Sequence, residues 1–163
     1  MDKGTHQNLI SVAIIDDDAN VRSGVAWLLN ISAGFRCLGA YADCSAALPA
    51  IKQAPPDVLL LDVNLPAASG IDCIPLIRQH HPAMKIIMHS NYDDEDKIAR
   101  SRQAGAAGYV LKNSPVEALC HAIRTVYAGG MLWPDGDDAS LATGLDAAKP
   151  AWLLRALRSV FGV

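Results

Sequence analysis

Apolar residues along this chain gather into short runs, and most of the runs stop at a polar side chain. Residues 9–15, 35–40, 57–61, 85–89 and 107–111 are rich in aliphatic or aromatic side chains and are flanked by turn-forming or polar residues, the signature of strands. Between them the period lengthens to that of a helix. Val21, Val25, Leu28 and Leu29 share one face of a first helix that ends near Gly34. Residues 43–53 form a second, interrupted by Pro49, and residues 71–80 a third, despite Pro75 and before Pro82. Residues 93–103 form a fourth, stopped by Gly105. The fifth helix has the clearest start: Ser114-Pro115-Val116-Glu117 offers a serine cap, a proline at the first helical position and a glutamate at the third, a capping box. Val116, Leu119, Ile123, Val126 and Tyr127 make its apolar stripe, and Gly129-Gly130 ends it.

Strands that alternate with helices at this interval build βαβ units, so the fold class expected is α/β, doubly wound, with a parallel sheet covered on both faces. Val58-Leu59-Leu60-Leu61 has no polar interruption, as befits a strand buried on both sides. The alternation occupies residues 9–130. Residues 131–163 read differently: Asp135-Gly136-Asp137-Asp138 is a polar linker, and a short amphipathic helix over 151–161 follows Pro150. Leu153, Leu157, Val160 and Phe161 share a face of that helix, which packing on its own domain or homodimerisation would cover.

Length and composition narrow the picture. The chain has 163 residues, 51% apolar and 19% charged, enough for one domain with an appendage. A net charge of −3 leaves no basic footprint for nucleic acid or an anionic membrane. The longest stretch free of Asp, Glu, Lys and Arg, residues 23–35, is too short to span a bilayer, and residues 1–8 lack the features of a signal peptide. A cytoplasmic protein is expected. Cys37, Cys44, Cys73 and Cys120 are scattered with no C-x-x-C pair, so they read as reduced, buried thiols. The histidines show no metal-ligand spacing, and His80-His81 sits at the exposed end of a helix.

The ends of the strands carry the chemistry. The first run stops at Asp16-Asp17, the third at Asp62, the fourth at Ser90 and the fifth at Lys112. In an open parallel sheet the carboxyl ends of the strands line one crevice, where ligands bind. Crowded carboxylates there repel one another until a hard dication such as Mg²⁺ relieves them. A hydroxyl and a lysine beside them suit the oxygens of a phosphoryl group. Each residue alone has a plainer reading: Asp16-Asp17-Asp18 also suits the cap of a helix starting near Ala19, and Ser90 and Lys112 are ordinary surface residue types. Asp93-Asp94-Glu95-Asp96, at the start of the fourth helix, most simply complements its dipole. The joint placement at four strand ends favours a site.

Ile14-Ile15-Asp16-Asp17-Asp18, Leu60-Leu61-Asp62-Val63-Asn64-Leu65-Pro66, Met88-His89-Ser90 and residues 104–112, ending in Gly108-Tyr109-Val110-Leu111-Lys112, give the chain a resemblance to the receiver domain of two-component response regulators. That resemblance implies a five-stranded, flavodoxin-like parallel sheet in order 2-1-3-4-5. It implies that Asp62 is the phosphoacceptor, with phosphate coming from a sensor histidine kinase or phosphotransfer protein and passing the signal to an effector protein. Asp17, Asp62 and the backbone carbonyl of Asn64 would ligate Mg²⁺, with Asp16 assisting through water. Ser90 and Lys112 would bind the phosphoryl group, and Tyr109 would be an aromatic switch. Residues 108–130 resemble receivers of NarL/FixJ-type transcription factors, although Asn113-Ser114 stands where many receivers have proline after the lysine. The residues after Gly130 are too few, and too poor in basic residues, for that branch's helix-turn-helix module. No direct DNA binding is therefore expected, and a receiver cut from a DNA-binding regulator remains an alternative.

A further alternative is an enzyme: Asp16-x-Asp18 after the first strand is similar to the acid pair of haloacid-dehalogenase-type phosphatases, which would place the nucleophile at Asp16. Nucleotide or flavin binding is disfavoured. Gly34-x-x-x-x-Gly39 is followed by Ala40-Tyr41, and no G-x-G-x-x-G follows the first strand.

Overall fold

The computed structural model describes residues 8–134. Strands and helices alternate along the chain: β1 Ile10–Ile15, α1 Ala19–Ile31, β2 Phe35–Tyr41, α2 Cys44–Gln53, β3 Val58–Asp62, α3 Gly70–His80, β4 Lys85–Ser90, α4 Glu95–Ala104, β5 Gly108–Leu111 and α5 Val116–Tyr127. The five strands pair in the order β2-β1-β3-β4-β5, all parallel. This is the doubly wound α/β sheet expected from the alternation. The amphipathic helix expected over 151–161, and the linker before it, lie outside the described residues.

The sheet divides the core in two because successive side chains of a strand point to opposite faces. Leu59, Leu61, Ile86 and Met88 face α2, α3 and α4, while Val58, Leu60, Ile87 and Val110 face α1 and α5. Both sets are almost fully buried. At the amino ends of the strands a polar clasp sets the alignment of β1 with β3: Ser11 donates from its amide and its hydroxyl to Asp57 Oδ2, at 2.8 and 2.7 Å. With that end tied and β1 and β3 in step, Ile15 and Leu61 lie side by side, and Asp16 and Asp62 follow them out of the sheet together.

Several local expectations need correction. α5 starts at Val116, one residue later than the spacing suggests, with Pro115 at the cap position. The Pro115 carbonyl accepts from the amides of Ala118 and Leu119. Tyr127 of the expected stripe is 41% exposed, and Ala118, Cys120 and Ala122 take part in the buried face instead. Pro49 does not interrupt α2, while Pro75 lies within α3 as expected. The cysteines are not all thiols, for Cys44 and Cys73 are joined by a disulfide, while Cys37 and Cys120 are free. Beyond Gly130, Leu132 and Trp133 are still buried, at 1% and 8% exposure. Leu132 donates to the Ala107 carbonyl and accepts from the Tyr109 amide, at 3.1 and 3.0 Å, so the chain runs along the outer edge of β5.

Gly70 opens α3 hard against the end of β3. A Cβ there would lie 1.8 Å from the Asp62 carbonyl oxygen, so only glycine lets the helix start this close. Gly24, in the exposed middle of α1, has nothing within 4 Å of such a carbon. Gly70→Ala should therefore destabilise the fold by about 2–3 kcal/mol through overpacking. Gly24→Ala should stabilise it by about 0.5–1 kcal/mol through helix propensity. Urea unfolding of the two variants checks both signs, and a neutral Gly70→Ala would contradict the close approach.

Candidate functional site

The five strand-end residues singled out by sequence come together at one mouth. Asp16 and Asp62 are buried, at 1% and 3% exposure, while Asp17 lies exposed beside them. Each of the three offers a carboxylate oxygen within 4.8 Å of the others. An all-oxygen donor set of this size and charge suits a hard dication. Lys112, whose side chain is 9% exposed, spans the two buried acids: its Nζ is 2.7 Å from Asp16 Oδ2 and 3.1 Å from Asp62 Oδ2. The contact with Asp16 is close but poorly directed, and that oxygen has no aligned hydrogen-bond donor.

The loops that follow the strands hold these acids by local bonds. Asp16 Oδ1 accepts from the Asp18 amide at 2.9 Å, and Arg22 donates to the carbonyls of Asp16 and Asp17 at 2.7 and 2.9 Å. Asp18 caps α1, accepting from the amides of Asn20 and Val21. The capping reading of the triple aspartate thus holds for Asp18, while Asp16 and Asp17 join the cluster. Asp62 Oδ1 accepts from the Asn64 amide at 3.1 Å. Ser90 is fully buried, with its Oγ 3.3 Å from the Tyr92 amide. Its carbonyl accepts from the Lys112 amide at 2.7 Å, which ties the ends of β4 and β5. Tyr109 is turned inward with no exposed surface, and its hydroxyl donates to the Tyr92 carbonyl at 2.8 Å.

Charge and burial compete here. Burial pushes the Asp62 carboxyl above its ordinary range, and the Asn64 amide and Lys112 offset this only in part. Burial works to lower the Lys112 ammonium, but the carboxylates of Asp16 and Asp62 outweigh it, and its pKa is raised. Burial likewise raises the Tyr109 phenol.

Two residues near the mouth were given no role by the sequence. Lys97, on α4, donates to Asn64 Oδ1 at 3.0 Å and so brackets the loop after β3. With Asp17, Asn64, Ser69 and Arg100 it lines an open cleft of about 360 Å³ above the acids. Its position in the sequence, after a run of acids, gives no hint that it reaches across to β3. His89 is the other. It lies beside Asp62 in the sheet, is 4% exposed, and its Nδ1 has no hydrogen-bond partner.

Comparison with known proteins adds an independent finding. A family model described as response regulator receiver domain matches residues 12–124. The chain is 32% identical over 130 residues to the transcriptional regulatory protein DegU of Brevibacillus brevis, covering 80% of this chain and 55% of that protein. It is 37% identical over 121 residues to the oxygen regulatory protein NreC of Staphylococcus carnosus, covering 74% of this chain and 56% of that one. The signal receiver domain of NarL from Mycobacterium tuberculosis matches with a TM-score of 0.70 at 30% identity, over 75% of this chain and 98% of that domain. The chain spans about half the length of the curated relatives it matches. Among the described residues, no helix is long and apolar enough to cross a membrane.

His89 gives the site an acid sensitivity. Burial first, and then the Lys112 charge, lowers its pKa from 6.5 to about 4. Below pH 6.5 the unfolded chain takes up a proton that the native imidazole refuses until about pH 4, so stability falls as pH falls through that window. The loss between pH 7 and pH 5 should be about 2 kcal/mol. His89→Leu should remove that increment. Denaturant midpoints of both proteins at the two pH values check it, and parallel pH dependences would refute the assignment.

Proposed function

Because the chain belongs to the response regulator receiver family, we propose that it takes a phosphoryl group onto Asp62 from a phosphohistidine of a sensor kinase or phosphotransfer protein. The observation that carries this reading is Lys112 lying between two buried aspartates, beside a third acid and a buried hydroxyl. Asp62 supplies the nucleophile: a bond from its carboxylate oxygen to phosphorus forms as the bond from phosphorus to the donor imidazole nitrogen breaks. Mg²⁺, when bound, screens the negative charge shared by the carboxylates and the phosphoryl oxygens. Asp17, Asp62 and the Asn64 carbonyl are its proposed ligands, with Asp16 acting through water. Lys112 then exchanges part of its contact with Asp62 for a phosphoryl oxygen, and the Ser90 hydroxyl donates to another.

The Asn64 carbonyl is held in place from both sides. The Asn64 amide bonds Asp62 and its side chain bonds Lys97, so Lys97 is a positioning residue for the proposed metal ligand. Movement of Ser90 toward the phosphoryl group would alter the Ser90–Tyr92 contact, and Tyr109 is bonded to Tyr92 as well. The response therefore passes to the face formed by α4, β5 and α5, where an effector protein docks. This makes the chain a cytoplasmic signalling module and not an enzyme with an external substrate. The transcriptional role named for the DegU relative is not assigned to residues 8–134.

Incubation with acetyl phosphate and Mg²⁺, followed by mass spectrometry of peptides, tests the reading. A single phosphoryl adduct on Asp62, absent from Asp62→Asn, is expected. An adduct on Asp16 would favour a phosphatase of the haloacid-dehalogenase type and overturn the proposal. Lys97→Met should weaken Mg²⁺ binding about threefold, because the lost hydrogen bond is solvent-exposed and worth only about 0.5–1 kcal/mol. Calorimetric titration measures this, and an unchanged affinity would remove the positioning role.

A further inference from the structure

The disulfide between Cys44 and Cys73 is the one covalent feature that the phosphoryl-transfer reading leaves unused. Cys44 is the first residue of α2 and Cys73 the fourth of α3; they are 29 residues apart in sequence, with Cα atoms 6.5 Å apart. Both line a groove of about 560 Å³ whose other walls include Asp17, Leu65 and Pro66. The bond therefore joins α2 to the helix that follows the loop carrying Asn64. That helix also begins on Asp62: Gly70 donates to the Val63 carbonyl at 2.9 Å, and Ser69 Oγ to the same oxygen at 3.2 Å. With the bond closed, the loop from Val63 to Ser69 is fixed at one end by β3 and at the other by a helix tied to its neighbour. With it open, α2 and α3 are held together by packing alone.

We propose that Cys44 and Cys73 form a redox modification site that locks the loop between β3 and α3 when oxidised and releases it when reduced. Cys73 is buried and Cys44 half-buried beside the groove, so Cys44 is the member that meets small reagents. A hydroperoxide serves as oxidant. The Cys44 thiolate attacks the O–O bond, giving a sulfenic acid and releasing water or an alcohol. The Cys73 thiolate then displaces hydroxide from the Cys44 sulfur, forming the S–S bond and a second molecule of water. Two electrons pass from the paired sulfurs to the peroxide. A dithiol reverses the step: one thiolate attacks Cys44 Sγ and Cys73 leaves as a thiol; the reagent's second thiolate then attacks its own sulfur in the mixed disulfide, releasing Cys44 as a thiol and the reagent as a cyclic disulfide. The two free cysteines act as internal references. Burial raises the pKa of both Cys37 and Cys120, which keeps them as slow-reacting thiols.

The consequence for metal binding rests on the reading of the acids as a Mg²⁺ site; the lock itself does not. The whole chain is equilibrated with hydrogen peroxide or with dithiothreitol, the reagent is removed, and free thiols are counted under denaturing conditions. Two thiols in the oxidised sample and four in the reduced one are expected from the four cysteines, with a Cys44–Cys73 cross-linked peptide only in the first. Backbone hydrogen exchange over residues 63–73, measured without metal or phosphodonor, should be at least threefold slower in the oxidised protein. In Cys44→Ser the two treatments should give the same exchange. Mg²⁺ affinity should be about threefold higher in the oxidised protein. Four free thiols after peroxide, or equal exchange in the two redox states of the wild-type chain, overturns the proposal. If exchange differs but neither state binds Mg²⁺ or accepts phosphate, the redox lock stands and the phosphoryl-transfer reading fails.

Discussion

The buried ammonium of Lys112 between Asp16 and Asp62 is the interaction on which the rest of the site depends. Two carboxylates at 1% and 3% exposure are costly to bury, and their mutual repulsion adds to that cost. One cation held within 3.1 Å of both makes the arrangement tolerable without fully neutralising it. The raised pKa of Asp62 is the residue of that imbalance. A protein that needed only stability at this place would do better with apolar side chains. The arrangement leaves a negative pocket of the kind that the proposed dication and phosphoryl group would satisfy.

The topology delivers this arrangement with few parts. The carboxyl ends of β1, β3 and β5 bring Asp16, Asp62 and Lys112 together, and all three strands point the same way. The Ser11–Asp57 clasp fixes the alignment at the far end of β1 and β3. A slip by one residue would turn every side chain to the opposite face, sending Asp16 or Asp62 into an apolar layer. The packing of the two layers and the chemistry at the mouth therefore depend on the same register.

Much of this was legible in the sequence, for identifiable reasons. Runs such as Val58-Leu59-Leu60-Leu61 admit few readings other than a central strand, and five such runs separated by helical periods leave little choice of class. The strand-end acids, hydroxyl and lysine were visible because a parallel sheet gathers its carboxyl ends on one side. What was not legible depends on contacts between distant segments. Nothing local distinguishes Cys44 and Cys73 from Cys37 and Cys120, and only the packing of α2 on α3 makes them neighbours. Lys97 reaches Asn64 from an element 33 positions away. The start of α5 falls at Val116, one residue later than the serine–proline spacing suggests, because helix ends depend on backbone bonds that the spacing does not fix.

Leu132 and Trp133 extend the sheet at its open side. By bonding Ala107 and Tyr109, Leu132 covers backbone groups that an edge strand otherwise offers to a neighbouring molecule. The same bonds hold Leu132 at the margin of β5, one hydrogen bond removed from the backbone of Tyr109. A displacement of that strand would thus carry Leu132 and Trp133 with it. Mechanical coupling of this kind needs no separate hinge.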